Sequence, residues 1–249
     1  QVSTEIHLAS VDLDEAYLGH DGGVHTIPAR DRKQCAVCAL HPLASPDQRL
    51  VVLGTHLMTT SRDNAAKCAF PGEIRARELA TIRRIAAACS RPNDAVVLTG
   101  DFNINLRGNR DQAIIAGNIP HTSGEEDSLH VPTGFVAPDD GTGQAAHFDW
   151  SRADGSRLLL ADAYSGQSTH EIDAKGHCLG SSHNAVRIET IDFCWFDSSH
   201  LQNTARSSLR APMPDGTPST AHPSDHIPLV LAFHHAHARK EREEEVGKY

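Results

Sequence analysis

Long apolar runs are missing from this chain: no stretch reaches the roughly 18 uninterrupted apolar residues that a membrane-spanning helix needs. Nothing near Gln1 has the charged-then-apolar pattern of a secretory signal peptide, and a start at Gln rather than Met is expected to mark a processed or internal boundary. Positive charge is scarce. Lys and Arg total 23 against 32 Asp and Glu, a net charge of −9 with the 17 histidines neutral. A protein that holds nucleic acid by its general field is normally basic, so any such substrate is gripped locally, at a metal-loaded pocket, or is not a long polyanion. Aromatic residues make up only 5% of the chain, which leaves few platforms for stacking bases. Internal repeats are absent. So is a second C-x-x-C: Cys35 and Cys38 form one, the other cysteines being Cys68, Cys89, Cys178 and Cys194. Cys35–Leu40 reads as a buried strand, on which residues three apart face opposite ways. Small buried hydrophobes therefore describe this pair better than zinc or redox ligands. Reduced thiols imply an intracellular compartment, and organelle import fits as well as the cytosol.

What is present suits an ordinary globular protein: 249 residues, 39% hydrophobic and 22% charged, enough for one large domain or two small ones. Residues 1–30 are poorly periodic and read as an irregular opening segment. Lys33–Leu40 and Gln48–Thr55 are apolar runs parted by a segment with two prolines, the pattern of a β-hairpin ending at His56. Residues 72–89 read as a helix, with Leu79, Ile82, Ala86 and Cys89 at three- and four-residue spacing and Arg75, Arg77, Arg83 and Arg84 at the other positions. Pro71 suits its first turn. Ala95–Thr99 follows as a short buried strand, and strand, helix, strand is an α/β signature. Residues 107–156 read as a long, loop-rich insertion, Arg157–Ala161, Arg187–Phe196 and Ile227–Phe233 as strands, and 237–249 as a charged tail.

Three segments carry chemistry. In Leu98–Asn103 a glycine lets the chain turn as the strand ends, presenting Asp101 and Asn103 two residues apart. The carboxylate can orient or deprotonate a water, and the amide can donate to a phosphoryl oxyanion. In Thr190–Trp195 an apolar strand is interrupted by Asp192, a charge that needs a partner. In Pro223–Pro228, Asp225 and His226 precede a strand. A histidine oriented by a distant carboxylate, with Asp192 the candidate, is suited to polarising a phosphate, and Asp225 is then free to sit near Mg²⁺ or Mn²⁺. Singly, each segment also fits a turn, a paired core charge or a surface feature. Trp195 reads as core, whereas Trp150 has polar sequence neighbours suited to a pocket wall.

In order, Gly54-Thr-His-Leu57, Thr99-Gly-Asp-Phe-Asn103, Ile191-Asp-Phe193 and Ser224-Asp-His-Ile-Pro-Leu229 resemble the endonuclease/exonuclease/phosphatase superfamily, over residues 31–236. Arg30-Asp31-Arg32, the helix with Arg77 and Leu79, and Leu160-Ala-Asp-Ala-Tyr164 resemble its poly(A) deadenylase and nocturnin branch. The resemblance implies a two-sheet α/β sandwich with a Mg²⁺- or Mn²⁺-dependent site. Asp101 would activate water and lie by the metal with Asp225, Asn103 would contact the scissile phosphate, and His226, oriented by Asp192, would stabilise the transition state. His56 and Asn184 would contact substrate, with RNA or a nucleotide expected. The family's sandwich opens with another half, bearing an early asparagine and a Gln-Glu pair whose glutamate is the principal metal ligand. Residues 1–30 carry no counterpart, since Glu5 and Glu15 lie in no comparable apolar strand. Two readings follow. One is an enzyme whose first half lies upstream or on a second chain. The other is a catalytically inactive scaffold subunit with the same fold.

Overall fold

The computed structural model describes residues 6–13, 16–18, 23–29, 32–41, 48–58, 71–103, 133–137, 145–164, 178–179, 182–184, 187–189, 191–206, 210–211, 226 and 230–236. Strand β1 (Ile6–Asp12) and a small ladder, β2 (Ala16–Leu18) with β3 (Val24–Thr26), precede β4 (Gln34–Leu40) and β5 (Leu50–His56). Helix α1 (Pro71–Cys89) leads to β6 (Ala95–Asp101), followed by β7 (Phe135–Val136), β8 (His147–Ser151) and β9 (Arg157–Asp162). The short strands β10 (Cys178–Leu179), β11 (Ser182–Asn184) and β12 (Arg187–Glu189) come before β13 (Asp192–Asp197) and β14 (Leu201–Arg206). The last are β15 (Arg210–Ala211) and β16 (Leu231–His235).

Eight strands join in one sheet, in the order β1-β4-β5-β6-β13-β9-β8-β7. Among the described residues only β5 and β6 pair in parallel within it, the crossover between them carrying α1. That is the α/β unit expected from the alternation of buried runs and helical periodicity. The expected hairpin is β4–β5, with Cys35 opposite Thr55. Strand alternation then sorts the core into two sides. Val51, Leu53, Val96, Leu98, Phe193 and Trp195 pack with Leu79, Ile82 and Ala86 of α1. Ala95, Val97 and Cys194 face the other way, toward Leu201, Leu231 and Phe233 of the β14–β16 ladder.

Several expectations are corrected. Residues 6–12 of the supposedly irregular opening form β1, paired along its whole length with β4, because a ladder can be satisfied by backbone without strong side-chain alternation. Within 107–156, His147–Ser151 is a sheet strand rather than loop. Trp150, expected at a pocket wall, is 2% exposed, packed 4.9 Å from the Phe148 ring, with its indole N–H donating to Thr133 O. Arg187–Phe196 is not one strand but β12 and β13, belonging to different sheets. Arg75, assigned to the polar positions of the helix, is fully buried. Among the described residues no helix is long and apolar enough to cross a membrane.

Candidate active site

The site is a consequence of register. The parallel pairing of β5 with β6 sets His56 beside Asp101, and the antiparallel pairing of β13 with β6 sets Asp192 on its other side. In-register residues on neighbouring strands project to the same face, so His56, Asp101 and Asp192 form a row across three strands. Asp101 shares its face with Ala95 and Val97, the side away from α1. The row lies at the end of the parallel pair.

Two backbone features make the row possible. Gly100 has φ of 141°, and a Cβ there would stand 1.8 Å from Thr55 O. Glycine is thus required for β5 and β6 to approach closely at their ends, within the strand rather than at a turn beyond it. Asn103 adopts φ of 50°, a left-handed conformation that asparagine tolerates, and its backbone N–H donates to Asp101 Oδ1 at 2.8 Å. One Asn103 side-chain N–H donates to Leu57 O at 3.0 Å. That bond leaves the amide one N–H and its carbonyl oxygen for a ligand.

His226 closes the row. Its Nδ1 lies 2.8 Å from Asp192 Oδ2, and its Nε2 lies 3.8 Å from Asp101 Oδ2. His56 Nε2 is 3.5 Å from the same Asp101 oxygen, with its side chain 60% exposed at the mouth. The structure therefore brings together the Asp101–Asn103 segment, Asp192, His226 and His56, four places far apart in sequence. Asp225 lies outside the described residues, and Asn184 is placed only by its backbone, in register with Arg187.

Electrostatics distinguish the members. Burial pushes the Asp101 carboxyl above its ordinary range; the Asn103 N–H opposes that, and the Asp192 charge adds to it. Partial desolvation and then the positive charge of Lys33 push His56 below its ordinary 6.5, against the pull of Asp101. The His56–Asp101 contact thus has the geometry of an ion pair, but desolvation favours the neutral imidazole at neutral pH. Two adjacent carboxylates, one of them resisting ionisation, are a setting that a divalent cation would relieve. Ligand atoms of Asp101, Asp192 and His226 lie within 4.8 Å of one another. One or two carboxylates, completed by water and phosphate oxygens, is a usual Mg²⁺ donor set, so the residues present fit that ion.

Sequence reasoning missed Lys33, and it missed Arg75 and Glu78 of α1, which are 0% and 1% exposed. The signal was there: opposite charges three residues apart on the apolar stripe of a helix.

No known family pattern and no curated protein sequence matches the chain. Solved structures do. The chain is similar to ANGEL2, a 2′,3′-cyclic phosphatase, at 19% identity and TM-score 0.52, over 92% of this chain and 67% of that one. It is also similar to the human nocturnin catalytic domain, at 15% identity and TM-score 0.49 over 94% of this chain. A mannosyl-6-phosphatase from Bacteroides thetaiotaomicron gives 13% identity and TM-score 0.47, over 93% of this chain and 67% of that one. The chain spans 60% of the length of the nocturnin domain. The chain thus shares its α/β fold with ANGEL2.

Proposed function

We propose that this chain carries the catalytic row of a divalent-metal-dependent phosphoesterase of the endonuclease/exonuclease/phosphatase superfamily. The observation that carries the reading is His226, held through Nδ1 by Asp192 with Nε2 directed toward Asp101, itself in register with both His56 and Asp192. A phosphoryl group seated on this row would meet Asp101 as the group that orients or deprotonates water. His226, protonated at both ring nitrogens, would donate from Nε2 to a phosphoryl oxygen as charge develops, with Asp192 accepting from its Nδ1–H and holding the ring in place. The Asn103 amide, steadied on Leu57 O, would contact the same phosphate. Asp101, together with Asp225, would hold Mg²⁺ or Mn²⁺, which when bound neutralises phosphoryl charge.

The substrate we favour is RNA or a nucleotide, hydrolysed as a phosphodiester or phosphomonoester. Its supports are the deadenylase-like motifs and the likeness to a 2′,3′-cyclic phosphatase. The free thiols of Cys35, Cys38, Cys89 and Cys194 accord with an intracellular setting. The scaffold reading draws on the −9 charge and on the lack of a Gln-Glu counterpart in residues 1–30. One assay separates the two. Turnover of bis(p-nitrophenyl) phosphate, adenosine 2′,3′-cyclic phosphate and oligo(A) is measured with Mg²⁺, with Mn²⁺ and with chelator, for the wild type and Asp101→Asn. Metal-dependent turnover that falls at least about 10²-fold in the variant is expected. Turnover that survives Asp101→Asn unchanged sinks the reading, and none from the intact protein on any probe favours the scaffold.

A further inference from the structure

Strand β5 ends at His56, and the next two residues leave the sheet with every backbone polar group taken. Leu57 N–H donates to Asp101 O at 2.9 Å, and Leu57 O accepts from Asn103 Nδ2 at 3.0 Å. Met58 N–H donates to Glu78 Oε2 at 2.8 Å, and Met58 O accepts from Arg75 Nη1 at 2.9 Å. Helix α1 thus grips both sides of one peptide position with two charged side chains that are almost wholly out of water.

A buried charged pair is a poor device for stability alone, because well-packed apolar residues of similar volume often hold an element at least as firmly. Apolar residues cannot fix a backbone N–H and C=O at the same time. The bonds therefore supply geometry. They fix Met58, and through it the Leu57 carbonyl on which the Asn103 amide rests and the strand end from which His56 reaches Asp101. We infer that Arg75 and Glu78 are positioning residues for the candidate active site, a helix-borne clamp that sets Asn103 and His56 without touching the reacting atoms. The functional half of this inference rests on the phosphoesterase reading above.

The test uses the intact protein with Mn²⁺ and bis(p-nitrophenyl) phosphate. Glu78→Met keeps volume but offers no oxygen, whereas Glu78→Gln keeps an acceptor for the Met58 N–H. In Glu78→Met, kcat is expected to fall about 10-fold or more with KM little changed, since a misplacement on the order of 1 Å can cost about 10²-fold. Glu78→Gln should recover most of that loss. In parallel, NMR exchange of the Asn103 side-chain amide and the Met58 N–H should quicken in Glu78→Met and stay slow in Glu78→Gln. Unchanged Asn103 exchange in Glu78→Met, or equal kcat loss in the two variants, overturns the clamp. Should Glu78→Met not fold, Arg75→Lys against Arg75→Met reads the other arm in the same way. Failure of the phosphoesterase reading shows separately, as turnover insensitive to Asp101→Asn, and the Asn103 exchange then decides the clamp by itself.

Discussion

At the scale of single residues, the site is built on a conflict between function and stability. Asp101 is placed where burial and Asp192 both disfavour its charge. A carboxyl whose folded value is raised binds its proton more tightly folded than unfolded, so stability falls as pH rises from its ordinary 3.8 through the raised value. Above that window the ionised group is a standing cost, which asparagine removes. Asp101→Asn is accordingly expected to lose activity while its Tm in chelator at pH 7 equals or exceeds that of the wild type; a clearly lower Tm contradicts this account. Asp192 has a different task. It bonds His226 Nδ1 at 2.8 Å, so Asp192→Asn keeps the shape but loses the negative charge that holds a proton on Nδ1. We expect kcat to fall about 10²-fold with KM little altered, as measured by steady-state kinetics. An equal rise in KM would instead mark Asp192 as a substrate contact.

At the scale of elements, the sheet sets the geometry of the candidate site through one close approach. Gly100 passes the Thr55 backbone so nearly that any side chain collides with it, and its φ of 141° disfavours other residues besides. Gly100→Ala should destabilise the protein by about 3 kcal/mol or more, read from the midpoint of denaturant unfolding. A loss under about 1 kcal/mol would show that β5 and β6 can part without cost at the site end. Helix α1 does two things on one face. Leu79, Ile82 and Ala86 seat it on the sheet, each fully buried leucine or isoleucine contributing about 1.5–3 kcal/mol. Its first turns carry the charged pair that holds Met58.

At the scale of the whole molecule, the far end of the sheet is tied by a second polar network, remote from the chemistry. Arg152, 4% exposed, donates to Asp197 Oδ2 at 2.5 Å and to Asp94 O at 3.2 Å, and Asp94 in turn accepts from Arg49. Burial alone would raise the Asp197 carboxyl, yet bonds from His200 and Ser199, with the charges of His200 and Arg152, hold it below 3.8. A depressed folded value gives stability that is present above 3.8 and lost as pH falls through the lower folded value. Arg152→Met leaves that carboxylate without its guanidinium and should cost about 3–5 kcal/mol at neutral pH. It should also flatten the loss of stability on acidification below about pH 4. Acid titration of Tm checks both, and parallel curves for variant and wild type would show that the network does not govern acid unfolding.

Much of this was legible in the chain read as letters. The runs Lys33–Leu40, Gln48–Thr55 and Ala95–Thr99, and the period of residues 72–89, announce a hairpin and a strand–helix–strand unit because side-chain alternation is a local property. Asp101, Asn103, Asp192 and His226 stood out because polar and charged residues bordering apolar runs need a reason to be there. Tertiary structure alone decided the rest. The pairing of β1 leaves little trace in its own side chains, since ladder bonds are made by the backbone. Trp150 looked suited to a pocket wall because its sequence neighbours are polar, but the alternation of β8 turns it inward, against Phe148. The row His56–Asp101–Asp192 exists only as strand register, which joins residues distant along the chain and which no local pattern encodes. Arg75, placed among the polar positions of the helix, and Glu78 gain their task only from the strand end they bind, Met58, laid against their helix.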